Sequence, residues 1–329
     1  MQRQRLICSL THREYNQGET MKIITLTLNP AFDVHCSADS FEARHENLAT
    51  ITEREAGGKG VNISRALSMN GVDNLALLAV GDENGAEFCA ELDKDSMTYE
   101  TIELKGRIRE NITIHTKNAP ETRLSFTGFD TDETLLQKFE EKLLPMLKAG
   151  DLVTFTGSVP SGISMPAVKG FIANIKNTGA KVVIDSRSFK KDDLMETKPW
   201  LIKPNEEEIA VYLDREIDSF ESVMDGAKAL YESGIENVMI SLGSKGALLI
   251  CADGAFIAHP PKINAISTIG AGDSSIGGFL AAAAAGKDSA EMLRTAVSYG
   301  SAACMSAGTR PPMANDVANV YAKVTVEKL

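Results

Sequence analysis

Apolar runs of strand length alternate with stretches of helical spacing over most of the chain. Ile23 to Leu28 is rich in β-branched residues and has no polar break, the pattern of a strand covered on both faces. Val61 to Met69 places Ile63, Ala66, Leu67 and Met69 at helical spacing. Leu75 to Val80 reads as the next strand, and a helix runs through Glu87 to Leu92. A helix over Thr131 to Leu147, a strand over Asp151 to Thr156 and a helix over Met165 to Thr178 continue the rhythm. Strands follow at Lys181 to Asp185, Trp200 to Lys203 and Val238 to Ser241, with helices between them. This alternation predicts an α/β fold built on a doubly wound, mostly parallel sheet.

Two stretches break the rhythm. Val34 to Ala56 and Thr101 to Phe126 alternate polar and apolar residues without a helical period, and Ile112, Ile114, Leu124 and Phe126 fit short antiparallel strands. The two are expected to pair in space as a small β-sheet lid over the main domain, with strands from about 34–56 and 101–126. Such a sheet exposes a face, and a homodimer through the lid is one way to cover it. No repeat or low-complexity linker divides residues 21–329.

Composition narrows the function. The 329 residues are 43% hydrophobic and 24% charged, enough for a large core without a disulfide or metal staple. A net charge of −11 argues against a nucleic-acid partner but leaves room for an anionic small ligand held by local groups. The five cysteines form no C-x-x-C pair, which points to a reduced, cytoplasmic setting. No apolar run has the features of a membrane span; the richest, Phe279 to Ala285, is alanine-heavy and ends at Gly286-Lys287. Residues 1–20 are polar, carry Arg3, Arg5 and Arg13, and lack a signal-peptide core. They are expected to form an N-terminal tail outside the fold, with Met21 as the native start.

The chemistry concentrates at Gly270-Ala271-Gly272-Asp273, which precedes an apolar, small-residue helix beginning at about Gly272. Free N–H groups at a helix start carry positive dipole charge, and glycines let an anion approach the backbone. Asp273 in that first turn is placed to take a proton from an attacking hydroxyl while the N–H groups hold developing charge. Alone, the same residues also read as a plain helix cap. The chain has no G-x-x-x-x-G-K-[ST], so it is not a Walker-A protein. Its first strand runs into Asn29-Pro30-Ala31 rather than G-x-G-x-x-G, which argues against a dinucleotide oxidoreductase. The five histidines are scattered and carry no motif.

Six segments, in order, resemble the PfkB family of carbohydrate kinases in the ribokinase-like superfamily. They are Thr27-Leu28-Asn29-Pro30-Ala31-Phe32-Asp33, Gly57-Gly58-Lys59-Gly60-Val61-Asn62, Gly157-Ser158-Val159-Pro160-Ser161-Gly162, Lys203-Pro204-Asn205-Glu206-Glu207-Glu208, Ser241 to Ala247, and Thr268 to Asp273. The first two look like the branch that acts on phosphorylated ketohexoses. The resemblance implies a ribokinase-like kinase domain over 21–329 that uses ATP and Mg²⁺ on a sugar-phosphate substrate. Fructose 1-phosphate going to fructose 1,6-bisphosphate is the first choice. Tagatose 6-phosphate and fructose 6-phosphate are alternatives, and a sugar-phosphate-binding regulator without turnover is the non-enzyme reading.

Roles follow from the resemblance. Asp273 is the catalytic base, with Gly270, Ala271 and Gly272 forming the anion hole. Asp33, Gly58, Asn62 and Asn111 meet the sugar, and Lys59 and Arg109 meet phosphate charge. Lys203, Asn205, Ser241, Gly243 and Gly246 border the nucleotide, and Glu208 helps place Mg²⁺ through water. Two segments depart from the branch. Asp185-Ser186-Arg187-Ser188 stands where D-x-S-G is common, and Arg123 stands where a glutamate is usual; both bear on which sugar phosphate is used.

Overall fold

The structure, a computed structural model, describes residues 21–117, 121–306 and 308–329. The tail expected over residues 1–20 lies outside the described residues. Strands β1 (Ile23–Thr27), β2 (Ala31–Ala38) and β3 (Ala49–Gly57) lead into helix α1 (Lys59–Met69). Then come β4 (Leu75–Gly81), α2 (Gly85–Lys94), β5 (Tyr99–Leu104), β6 (Arg109–Thr116), β7 (Thr122–Ser125) and α3 (Thr134–Leu143). A regular βα series follows: β8 (Leu152–Thr156), α4 (Met165–Asn177), β9 (Lys181–Asp185), α5 (Lys191–Thr197), β10 (Leu201–Ile202), α6 (Glu206–Leu213) and α7 (Phe220–Glu232). The chain closes with β11 (Asn237–Ser241), β12 (Ala247–Cys251), β13 (Gly254–His259), α8 (Ala271–Ala284), α9 (Ser289–Ala303), α10 (Ala314–Tyr321) and β14 (Thr325–Lys328).

The main sheet has ten strands in the order β14-β13-β12-β11-β10-β9-β8-β1-β4-β5. From β11 to β5 every pairing is parallel, while β12, β13 and β14 add an antiparallel edge. Every residue of β1 is buried, because helices cover both faces of a parallel sheet. One layer packs Ile24 and Leu26 with Phe155, Phe171 and Ile172; the other packs Ile23 with Ile63, Leu67, Ile276 and Phe279. The fully buried Ile276, Phe279 and Leu280 anchor α8, each such side chain stabilising by roughly 1.5–3 kcal/mol. Gly278 lets α8 lie close to α9, since a Cβ there would stand 2.6 Å from the Thr295 carbonyl oxygen; Gly277 faces α1 near Ile63 and Ala66. Small residues thus set the start of α8 against the start of α1. The helix expected over Thr131 to Leu147 is α3 followed by a short 3₁₀ turn at Leu144–Met146, where Pro145 supplies no N–H to continue the α-helix.

The second sheet has the order β3-β2-β6-β7. One expectation about it needs correction: Thr101 to Leu104 belong to β5 at the edge of the main sheet. β6 and β7 pair antiparallel, as expected, with Ile112 opposite Leu124, while β6 pairs with β2 in parallel. The reason lies in the connections. β1 runs into β2 and β5 runs into β6 through short links, so both leave the same carboxyl edge of the main sheet in the same direction. One face of the second sheet carries Phe32, Val34 and Cys36, buried against the body beside Phe88 of α2. Alternation puts Asp33, His35, Glu53, Glu55, Asn111, Thr113 and Arg123 on the other face.

Candidate active site

The loops at the carboxyl ends of the parallel strands converge on the first turn of α8, where ligands of open α/β sheets bind. Gly270 occupies the cap position with φ +76, a left-handed conformation that suits glycine, and Asp273 is the third helical residue. Asp273 is therefore not the cap: its side chain turns inward and accepts a hydrogen bond from Asn62 Nδ2 at 2.9 Å. Burial pushes its carboxyl up to about 6; Lys59 pulls down, Asp185 pushes up, and Asn62 and Lys203 pull down. At neutral pH it is an ionised base of raised proton affinity in the first turn of α8, where the Ala271 N–H donates to the Thr268 carbonyl at 3.4 Å.

Two lysines flank it. Lys59, first in α1, pairs with Asp185 at 2.8 Å. Burial alone would lower its pKa, but Asp185, Asp273 and Glu208 outweigh burial and raise it, so it stays charged. Asp185, at the end of β9, is also buried, and Lys203 and Lys59 more than offset that burial, holding its carboxyl below the usual range. Sequence reasoning gave Asp185 no role, although it opens the departing Asp-Ser-Arg-Ser segment. Lys203 is buried at the end of β10, and a Cβ on Gly272 would lie 3.0 Å from its Nζ. The ammonium therefore sits at the start of α8.

On the second sheet, Asp33 Oδ1 accepts a hydrogen bond from Asn111 Nδ2 at 3.1 Å. Burial raises its pKa, with Asn111 and then Arg123 opposing. A Cβ on Gly57 would stand 2.1 Å from Asp33 Oδ2 and displace that side chain; Gly58 has φ +117 and lies against Thr27 and Pro30. Arg109 bridges the seam between the two sheets. Its Nη1 donates to the Phe126 carbonyl at 2.6 Å, and its Nη2 donates to the Asn29 carbonyl at 3.2 Å and to Ser158 Oγ at 3.3 Å. Asn29 Nδ2 in turn donates to Ser158 Oγ at 3.0 Å. Asn29 and Ser158 lay in recognised motifs, yet only the fold shows them supporting Arg109. Around this seam Asn29 Oδ1, Asn62 Oδ1, Asn111 Oδ1 and Arg109 Nε are buried without a hydrogen-bond partner among the described residues. Unpaired buried polar atoms are costly, and these offer both acceptors and a donor to a polar ligand.

The remaining residues flank α6 and the β11–β12 turn. Asn205 caps α6: its Oδ1 accepts the Glu208 N–H at 2.7 Å, and Glu208 Oε2 accepts the Asn205 N–H at 3.1 Å. Glu208 Oε1 points instead to Arg187 Nε at 3.6 Å. The capping box occupies one carboxylate oxygen and leaves the other for a second partner. Ser241 is bound to this region through its N–H to the Pro204 carbonyl at 3.0 Å. Gly243 has φ +57 and open space where a Cβ would be, so a ligand can approach it; Gly246 has φ +107 and is needed for packing, because a Cβ would collide with the Ala258 carbonyl oxygen at 1.8 Å. Among the described residues no group of three or more histidine, cysteine, aspartate and glutamate side chains could hold a metal ion by itself. A lone available carboxylate oxygen fits a hydrated Mg²⁺ that completes its shell with phosphate oxygens. No helix of the described residues is long and apolar enough to cross a membrane.

A buried base at a helix start, flanked by two lysines and faced by unpaired amide oxygens, is suited to phosphoryl transfer onto a hydroxyl. The known proteins agree with that class. The chain matches the pfkB family of carbohydrate kinases over residues 29–316. It is 31% identical to 1-phosphofructokinase of Escherichia coli K12 over 303 residues, covering 91% of this chain and 97% of that protein. It is 31% identical to 1-phosphofructokinase of Bacillus subtilis over 284 residues, covering 86% and 93%. The crystal structure of phosphofructokinase-2 from Escherichia coli in complex with substrates and products superposes with TM-score 0.86 at 28% identity, covering 92% of this chain and 99% of that one. The chain belongs to the pfkB family of carbohydrate kinases. It is a sugar kinase, and the family implies ATP as the phosphoryl donor.

Proposed function

We propose that this kinase phosphorylates a ketohexose phosphate, fructose 1-phosphate to fructose 1,6-bisphosphate, in the cytoplasm. The observation that carries the reading is the set of unpaired buried polar atoms on Asn29, Asn62, Asn111 and Arg109 around Asp33, which suits a ligand rich in hydroxyls with an anionic end. The relatives' name supplies the choice of fructose 1-phosphate.

In this reading Asp33, Asn111, Asn62 and the backbone at Gly58 hold the sugar, and Arg109 turns its guanidinium toward the phosphate already present. Asp273 takes the proton of the attacking hydroxyl. That oxygen bonds to the γ-phosphorus, the bond to the bridging oxygen breaks, and ADP leaves. Lys59, Lys203 and the N–H groups from Gly270 to Gly272 stabilise the charge on the transferred group. Asn205, Ser241, Gly243 and Gly246 border the nucleotide. Glu208 would hold Mg²⁺, which when bound would neutralise phosphate charge. Residues 21–329 act as one kinase domain with the second sheet as its lid, which excludes water when the sugar binds. The exposed Leu48, Ile51, Leu124 and Phe126 on or beside this sheet favour a homodimer through the lid.

A second reading, fructose 6-phosphate as substrate, is favoured by Arg123, which lies on the polar face near enough to influence Asp33. The test is a coupled ADP-release assay with Mg-ATP against fructose 1-phosphate, fructose 6-phosphate and tagatose 6-phosphate in parallel. Preference for fructose 1-phosphate supports the proposal, preference for another names that substrate instead, and no turnover with any of the three rejects it.

A further inference from the structure

The loop after β9 carries a cation whose position is not explained by packing. Ser188 pins this loop, accepting the Val159 N–H on its Oγ at 3.1 Å and donating its own N–H to Ser186 Oγ at 3.2 Å. Ser186 itself is buried. The Arg187 side chain, mounted on that fixed backbone, is 85% exposed, and among the described residues it pairs with Glu208 Oε1 at 3.6 Å. That separation is beyond a good hydrogen bond, and a pair with so exposed a guanidinium contributes little to folding. The guanidinium is therefore free to change partner at small cost.

Its surroundings indicate which partner. Lys59, partly exposed, and the buried Lys203 are the other cations around Asp185, already engaged with it and with the start of α8. Arg187, within electrostatic reach of the same carboxylate, is the cation of the three most open to an entering polyphosphate. A planar guanidinium matches two phosphate oxygens at once, which an ammonium cannot do. Glu208, its present partner, is also the carboxylate suited to a hydrated divalent cation.

Resting on the kinase reading above, we infer that Arg187 is a nucleotide-phosphate contact that exchanges Glu208 for the polyphosphate, supplying from the protein part of the charge otherwise brought by a divalent cation. The consequence is specific: ATP should bind this chain appreciably without metal, and that binding should depend on Arg187.

The experiment is calorimetric titration of the full chain with ATP, in excess Mg²⁺ and in excess EDTA, for wild type, Arg187→Gly and Arg187→Lys. Thermal unfolding of each variant checks that the fold is intact. Removing one charge-assisted contact should weaken metal-free ATP binding by roughly ten- to a hundredfold, with a smaller loss for Mg-ATP. Arg187→Lys should recover part of the loss, and affinity for the sugar phosphate should not move. Metal-free affinity unchanged in Arg187→Gly, or equal losses with and without Mg²⁺, would overturn the inference while leaving the kinase reading intact. A wild-type chain that binds ATP under neither condition would overturn both.

Discussion

Replacing Asp273 with asparagine should separate what the residue does for catalysis from what it costs the fold. The substitution keeps shape and leaves an amide oxygen to accept the Asn62 hydrogen bond, now 2.9 Å. It removes the base, so turnover should fall by about 10²–10⁴. Stability should move the other way. The carboxyl titrates at about 6 in the fold, against an ordinary value of 3.8. Between those values the folded state binds more protons than the unfolded state, so stability falls as pH rises. The cost of the buried charge is complete above about pH 6 and absent below about pH 4. At 1.36 kcal/mol per unit, the asparagine variant should be more stable than wild type by about 3 kcal/mol at pH 8, with no advantage at pH 4. Denaturant unfolding of both proteins at the two pH values measures this, and the coupled assay measures turnover. Wild-type turnover should also rise through pH 6 as the base ionises. A variant with near-normal turnover would remove Asp273 from the chemistry; one that gains nothing at pH 8 would refute the argument that burial raises its proton affinity.

Other substitutions test separate parts of the site. Lys59→Met removes the 2.8 Å partner of Asp185, leaving Lys203 to balance its buried charge, and should cost about 1.5–3 kcal/mol of stability as well as turnover, read by denaturant unfolding and assay; an unaltered unfolding midpoint would contradict the pairing. Gly57→Ala forces a Cβ to 2.1 Å from Asp33 Oδ2, so the acceptor sugar's KM should rise at least tenfold while ATP affinity stays near wild type; equal effects on both substrates would refute Asp33 as a sugar contact. Arg109→Ala should raise the sugar-phosphate KM far more than the ATP KM, by about tenfold or more for a lost charged contact, and an unchanged sugar-phosphate KM would remove Arg109 from that site.

Much of this architecture is visible in local sequence because local rules govern it. The apolar run of β1, the helical spacing of α1 and the glycines before α8 each follow from residues close together in the chain. The start of α8 resolved an ambiguity that its four residues left open: Gly270 takes the cap, which frees Asp273 to face inward. What escaped sequence reasoning depends on partners far away. The role of Asp185 comes from Lys59 and Lys203, distant in sequence. The need for glycine at position 246 comes from the Ala258 carbonyl on β13, not from a ligand. The parallel pairing of β2 with β6 follows from where β1 and β5 end, and alternation within either segment carries no information about direction. The antiparallel edge of β12, β13 and β14 likewise depends on long-range pairing of a strand at the far end of the chain.

The seam between the sheets has a mechanical consequence. Four connections cross it: β1 into β2 through Asn29-Pro30, β3 back into α1 through Gly57-Gly58, β5 into β6 ahead of Arg109, and β7 back into α3. The crossings carry Asp33 and Arg109 on one side and Lys59 and Asn62 on the other. Any rocking of the second sheet must therefore alter the spacing between these two groups, because they are mounted on opposite sides of the pivot. Binding a molecule that spans both fixes the angle of the pivot, and so reports occupancy of the acceptor site to the start of α8 through Asn62, which bonds Asp273, and through Lys59, which acts on its charge.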